Sequence, residues 1–363
     1  MSKSNSLPPV PASQLAWLDW VRFLAAFVVL ITHARGVVFE EYSELASESK
    51  GLLTAAFFAL TRAGHEAVLV FFVLSGYLVG GKLVERVMAG NFSWRGYLCD
   101  RASRIFVPLV PAVIFSFLVA NLLGAPDSGW KAVANILSLQ GVAVDPLTVN
   151  GPLWSLSYEV WFYVLGGAAA VVATRGGSWP FVLLLFSFFI FLYLDPIYLF
   201  AWLLGALAFR LRFSIVTLRH IVPSVLVVLI LAGLSQLASR PNSMHGFGFL
   251  DRRVVELLLA GAMALLIAIL ASVRGTFRVP AFVSALGNRL ASFSYSLYLV
   301  HFPFLMVLKW GGLQRSTLVS AGALAIFMGV VAMALLFSYA FYFLFEKNTG
   351  RVRALMREAL GVG

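Results

Sequence analysis

Charge is scarce in this chain. Only 12% of its 363 residues are Asp, Glu, Lys or Arg, and 61% are hydrophobic; soluble domains average about 25% charged and about 45–50% apolar. The shortage excludes an ordinary soluble domain and implies a surface turned to lipid. Cysteine is nearly missing too: Cys99 stands alone, so no intramolecular disulfide can form. No Walker motif, CxxC or HExxH occurs, and no cluster has metal-ligand spacing, so no metal or bound cofactor is expected. A dinucleotide fold is not expected without alternating strands and helices. Internal repeats, low-complexity stretches and long linkers are also lacking. The first apolar run has neither a basic leader nor a clear small-residue cleavage site, so it reads as a retained helix.

What the chain has is hydrophobic length. A spanning helix needs about 20 mostly apolar residues, and ten such spans are expected, at 15–38, 66–85, 103–124, 153–174, 179–194, 196–211, 220–239, 254–273, 289–310 and 317–345. The fifth and sixth are short and separated only by Asp195 and Pro196, so one of them is a candidate for a tilted or re-entrant segment. The fold class is therefore an all-α integral membrane protein, a polytopic bundle of about ten transmembrane helices. The net charge of +11 belongs to basic loops rather than to nucleic-acid binding. With the N-terminus inside, 17 of the 27 Lys and Arg side chains fall on the inner side and 9 on the outer, Arg22 lying within the membrane. That asymmetry favours both termini in the cytoplasm and a multi-pass location in the inner (plasma) membrane.

Ionisable groups inside apolar spans are costly and hence functional candidates. Arg22 and His33 share the first span. Eleven residues at about 100° each come to three turns plus about 20°, so both lie on one face, about 16 Å apart along the axis. Ser75 and Gly76 sit mid-membrane in FFVLSGYLVGG, where small residues usually mean close helix packing. Arg101 and Arg104 are three apart, on one helix face, where a span leaves the cytoplasm. Their guanidinium forks suit phosphate groups, although by itself the pair reads more readily as an anchor to inner-leaflet lipid headgroups. Glu159 lies near the outer end of the fourth span with Tyr163 one turn on, and His33 at similar depth is its expected partner. Ser294, Tyr298 and His301 form a polar i, i+4, i+7 stripe on an apolar helix, ahead of a kink at Pro303.

Taken together these stretches resemble the acyltransferase-3 family of membrane acyltransferases. That family shows an opening like LDGLRGIAALLVVLFH, then FFVLSGF, RxxRI-P, WSLSVEEQFY and ISYSLYLWH, and often closes with an ER-type pair. The counterparts here are residues 18–33, 71–77, 101–108, 154–163, 293–301 and 342–347, in the family's order and across nearly the whole chain. Trp20 and Phe23 replace usual glycines, Leu69 stands where many members have Asp, and Val160 and Trp161 replace the EQ after Glu159. These departures suggest a subfamily with its own acceptor. Many members also carry an esterase-like C-terminal domain; the chain is expected to be one membrane acyltransferase domain over 1–363 without it.

The resemblance implies transfer of an acyl group, often acetyl, from cytoplasmic acyl-CoA to a hydroxyl of a saccharide, glycolipid or secondary metabolite. The layout agrees, with cations toward the inside (Arg22, Arg101 and Arg104, for the donor) and acid–base groups toward the outside. His33 is the candidate general base, oriented by Glu159; an acyl-histidine intermediate is the competing mechanism. Ser75, Tyr298 and His301 are candidate acceptor or oxyanion contacts. The rival class is a transporter or flippase for a lipid-linked saccharide, which would show inverted repeats or paired broken helices.

Overall fold

A computed structural model describes residues 12–239, 247–273 and 280–362. Helices dominate. In chain order they are α1 (Ala12–Val38), α2 (Leu52–Leu60), α3 (Gly64–Ser75), α4 (Lys82–Met88), α5 (Trp94–Leu122), α6 (Gly129–Ile136), α7 (Trp154–Arg175) and α8 (Ser178–Ile190). Then come α9 (Pro196–Ala208), α10 (Leu218–Leu237), α11 (Arg252–Ala271), α12 (Ala281–Ser292), α13 (Ser294–Trp310), α14 (Ala321–Leu344) and α15 (Thr349–Ala359). One two-stranded ladder, β1 (Ala238–Ser239) with β2 (Phe247–Asp251), joins α10 to α11.

Among the described residues, seven segments are long and apolar enough to cross a membrane, and the bent pair α12–α13 makes an eighth if it acts as one span. This is the architecture of a polytopic membrane protein. The expected fifth and sixth spans are α8 and α9, of 13 residues each. At 1.5 Å per residue each reaches about 20 Å, short of the roughly 30 Å hydrocarbon core. The expected 289–310 span is broken at Phe293, where α12 and α13 meet at 50°. The expected 103–124 span is the later part of α5, which starts at Trp94 because Ser93 caps it, its hydroxyl accepting from Gly96 N at 3.2 Å.

Two features position the centre of the bundle. The first is the seam between α9 and α3. A Cβ on Gly76 would overlap the Trp202 carbonyl and one on Gly205 the Val73 carbonyl, so backbone meets backbone there. Beyond Ser75 the α3 helix widens into a π-helical stretch, Gly76–Gly81, a distortion that recurs beside functional sites. The second is α1, which packs against α3, α12, α13 and α14.

We call the end of the bundle where α1 begins the near end and the other the far end. The segment after α5 folds over the far end. Asp127 accepts from Lys131 Nζ at 2.7 Å and from Thr148 N and Oγ1 at 2.8 Å each. Its partial burial would raise the carboxyl pKa, but these hydrogen bonds and the Lys131 charge outweigh it and hold the group below the usual carboxylate range. Asn150 ties the segment down by donating to Ser116 Oγ and the Leu299 carbonyl, both at 2.9 Å. At the near end α15 lies on α5, with Arg357 paired to Asp100 at 3.0 Å.

Candidate active site

Packing of α1 on α13 brings His33 onto His301. His33 Nδ1 lies 3.0 Å from His301 Nε2, with the rings stacked at 5.2 Å. His301 is fully buried, and its Nδ1 sits 2.9 Å from the Leu297 carbonyl and 2.8 Å from the Tyr298 carbonyl. Carbonyls only accept, so His301 carries its proton on Nδ1 and, as a neutral ring, presents a lone pair at Nε2. His33 therefore donates from Nδ1, which leaves the lone pair of a neutral His33 on Nε2. This hydrogen-bond chain assigns the tautomers. Both His301 nitrogens are engaged, so His301 orients His33 rather than offering a free base.

Glu159 does not pair with His33. It accepts from the Tyr163 hydroxyl at 2.6 Å, and Ser75 Oγ donates to that same hydroxyl at 3.3 Å. The expectation rested on similar depth, but depth does not say which neighbouring helix a side chain faces; α7 turns Glu159 toward the interior cavity. That cavity, of about 90 Å³, is lined by Arg22, Ser75, Arg104, Glu159 and Tyr298 among others. With Ser294, six of the residues singled out from the sequence thus meet in one space. His33 and His301 do not line it; they adjoin it through Tyr298, whose ring centre is 6.0 Å from that of His301.

The two arginines of α5 part company. Arg104 enters the cavity and pairs with Glu346 at 2.6 Å, and the other carboxylate oxygen accepts from Ser296 N at 3.0 Å and Ser296 Oγ at 2.6 Å. Arg22 pairs with Asp19 at 3.1 Å. Arg101 makes no ion pair among the described residues: its guanidinium lies over the Tyr163 ring at 5.4 Å, and it lines two near-end spaces, one shared with Lys82 and Arg86 and one an apolar groove of about 490 Å³. An offset of three residues is about 300°, or about 60° the other way, so the two share a face, but Arg104 reaches Glu346 inside the bundle while Arg101 lies over Tyr163 toward the near end.

Of the candidate oxyanion donors, Tyr298 is already committed, since its hydroxyl donates to the Pro152 carbonyl at 2.9 Å and contacts Ser155 Oγ. Ser75, held only by the long bond to Tyr163, is freer. Sequence reasoning missed Asp19 as the partner of Arg22. It also missed His65 and Glu256, bonded at 2.9 Å in a separate far-end cavity of about 500 Å³. Charge at the ends of spans was the available signal for that pair.

The model of the acyltransferase domain family matches residues 15–343. The chain belongs to the acyltransferase-3 family. It is similar to an O-acetyl transferase of Shigella phage Sf6, with 28% identity over 46% of this chain and 50% of the phage protein, so that match spans half the relative's length. It is also similar to acyltransferase MdmB of Streptomyces mycarofaciens, with 26% identity over 90% of this chain and 89% of the relative. No solved structure matches. Family membership decides for an acyltransferase enzyme over a transporter, and the cluster of Arg22, Ser75, Arg104 and Glu159 lies beside the paired histidines inside the bundle.

Proposed function

We propose that this acyltransferase moves an acyl group, acetyl in the simplest case, from acyl-CoA on the cytoplasmic side of the inner membrane to a hydroxyl of a saccharide or similar acceptor. The observation that carries the reading is the hydrogen-bond chain from the Leu297 and Tyr298 carbonyls through His301 to His33, which leaves a lone pair on His33 Nε2. In this mechanism His33 Nε2 takes the acceptor's hydroxyl proton as the oxygen attacks the thioester carbonyl. The new C–O bond forms, the C–S bond breaks, and the departing thiolate is protonated as CoA leaves. Ser75 is the best-supported oxyanion donor, because its hydroxyl is the least committed. Glu159 acts through Tyr163 rather than on His33.

The interior cavity of about 90 Å³ suits a narrow thioester arm rather than a nucleotide. The donor's phosphates therefore belong at the near end, with Lys82, Arg86 and Arg101, and Arg22 and Arg104 line the passage beyond. Both termini lie on the donor side in this reading.

The test is donor binding by the purified protein in nanodiscs. Acetyl-CoA should bind saturably, and a folded Arg101→Gln, Arg104→Gln double variant should raise the KM for acyl-CoA more than it lowers kcat. Unchanged donor affinity in that variant would show that the arginines only anchor the helix.

A further inference from the structure

Four helices begin around the far-end cavity of about 500 Å³. The first turn of α3 brings His65, α7 brings Trp154 and Tyr158, α9 brings Tyr198 behind its N-cap Asp195, and α11 brings Arg252, Arg253 and Glu256. The volume falls in the usual range for small-molecule sites, about 300–1,000 Å³. Among the described residues every lining side chain is aromatic or polar and none is aliphatic, so what apolar surface the cavity has is aromatic.

The charges in this wall are already matched. Glu256 Oε1 takes Arg252 Nε at 2.6 Å and His65 Nε2 at 2.9 Å, and Asp195 Oδ2 lies 3.4 Å from Arg253. An anionic ligand would compete with Glu256 for Arg252 and with Asp195 for Arg253, and would stand against the charge of both carboxylates. A polyol meets no such barrier, because the paired groups keep spare guanidinium N–H donors and carboxylate lone pairs. The aromatic side is continuous: Trp154, Tyr158 and Tyr198 sit with ring centres 5.0 to 5.7 Å apart.

The cavity is also close to the proposed chemistry. A Cβ on Gly64 would lie 2.9 Å from Thr32 Oγ1, so the residue before His65 packs on the residue before His33. Phe72 lines the interior cavity and packs against Trp154, Tyr158 and Tyr198 at 6.3, 5.6 and 5.3 Å. Phe72 thus lines one space and packs on the aromatic wall of the other.

We propose that this cavity binds the acceptor, and that the acceptor unit it takes is an uncharged sugar ring, its C–H face on the aromatic side and its hydroxyls on the paired charges. The proposal rests on the acyl-transfer reading and names the acceptor site within it.

The experiment titrates the protein in nanodiscs with a panel of methyl pyranosides and the uronates of the same sugars, following tryptophan fluorescence with Trp154→Phe as the reference. At least one neutral member should bind saturably, at least about tenfold more tightly than its uronate, and weaken about tenfold in Tyr198→Ala. Glu256→Gln should free the Arg252 charge and shift the neutral-to-uronate preference about tenfold toward the uronate. No saturable binding by any neutral member, tighter binding of uronates to the wild type, or an unmoved preference in a folded Glu256→Gln protein would each overturn the proposal. Acetyl-CoA affinity measured on the same samples separates these failures from a failure of the acyl-transfer reading.

Discussion

Replacing His301 separates an orienting group from a proton carrier. In His301→Phe the acceptor for His33 Nδ1–H disappears, and the 3.0 Å bond with it. A neutral hydrogen bond contributes about 0.5–1.5 kcal/mol net, and a buried donor left without a partner costs about 1–3 kcal/mol. At 1.4 kcal/mol per tenfold, losing the orienting bond should lower kcat by about 10- to 100-fold. His301→Gln keeps a carbonyl able to accept from His33 and should lose less than about tenfold. Loss of the base itself costs about 10²–10⁴-fold, so the expected order is wild type, Gln, Phe, and last any His33 variant. Thiol release from acetyl-CoA is a suitable assay, because Cys99 is fully buried and hidden from a thiol reagent. A folded Phe variant within about threefold of wild type would refute the orienting role. If Gln and Phe both fell as far as the His33 variants, His301 would itself carry the proton.

Three further outcomes follow from the packing and the far-end segment. Gly205→Ala should force α9 off the Val73 carbonyl, costing about 1–3 kcal/mol or more and lowering both Tm and turnover, whereas Gly261→Ala, whose Cβ would meet nothing within 4 Å, should leave Tm unchanged or raise it. Glu346→Gln should lower Tm by leaving Arg104 without its charge partner, and pairing it with Arg104→Gln should recover part of that loss in a double-variant cycle. The depressed carboxyl of Asp127 contributes stability that is present above its unfolded pKa of about 3.9 and is lost as pH falls through the lower folded value; Asp127→Asn should therefore lower Tm at neutral pH, and the gap to wild type should close below about pH 4.

Most of the fold was legible because hydrophobic length is a local property: the long spans and the family motifs read directly from the chain. The breaks were not. The π-helical stretch at Gly76–Gly81 exists because glycines there meet α9, a contact with residues more than a hundred positions away. The bend at Phe293 has no proline or glycine to announce it. For the site, the periodicity that put Glu159 and Tyr163 on one face was sufficient, and they are bonded. The partner of His33 was not legible, because His33 and His301 are 268 positions apart and meet only through the packing of α1 on α13. The far-end cavity was hidden for the same reason: each of four helices contributes one to three of its residues, and only Trp154 and Tyr158 fall in a stretch that resembles a family motif.

The most direct test of the central claim is turnover by His33→Gln, measured beside its Tm and its acetyl-CoA affinity. Gln keeps a hydrogen-bond donor toward His301 but cannot take the acceptor's proton. The expected result is a loss of about 10²–10⁴-fold in kcat with Tm and donor affinity close to wild type. A His33→Gln enzyme that turns over at the wild-type rate would contradict the assignment of His33 as the base.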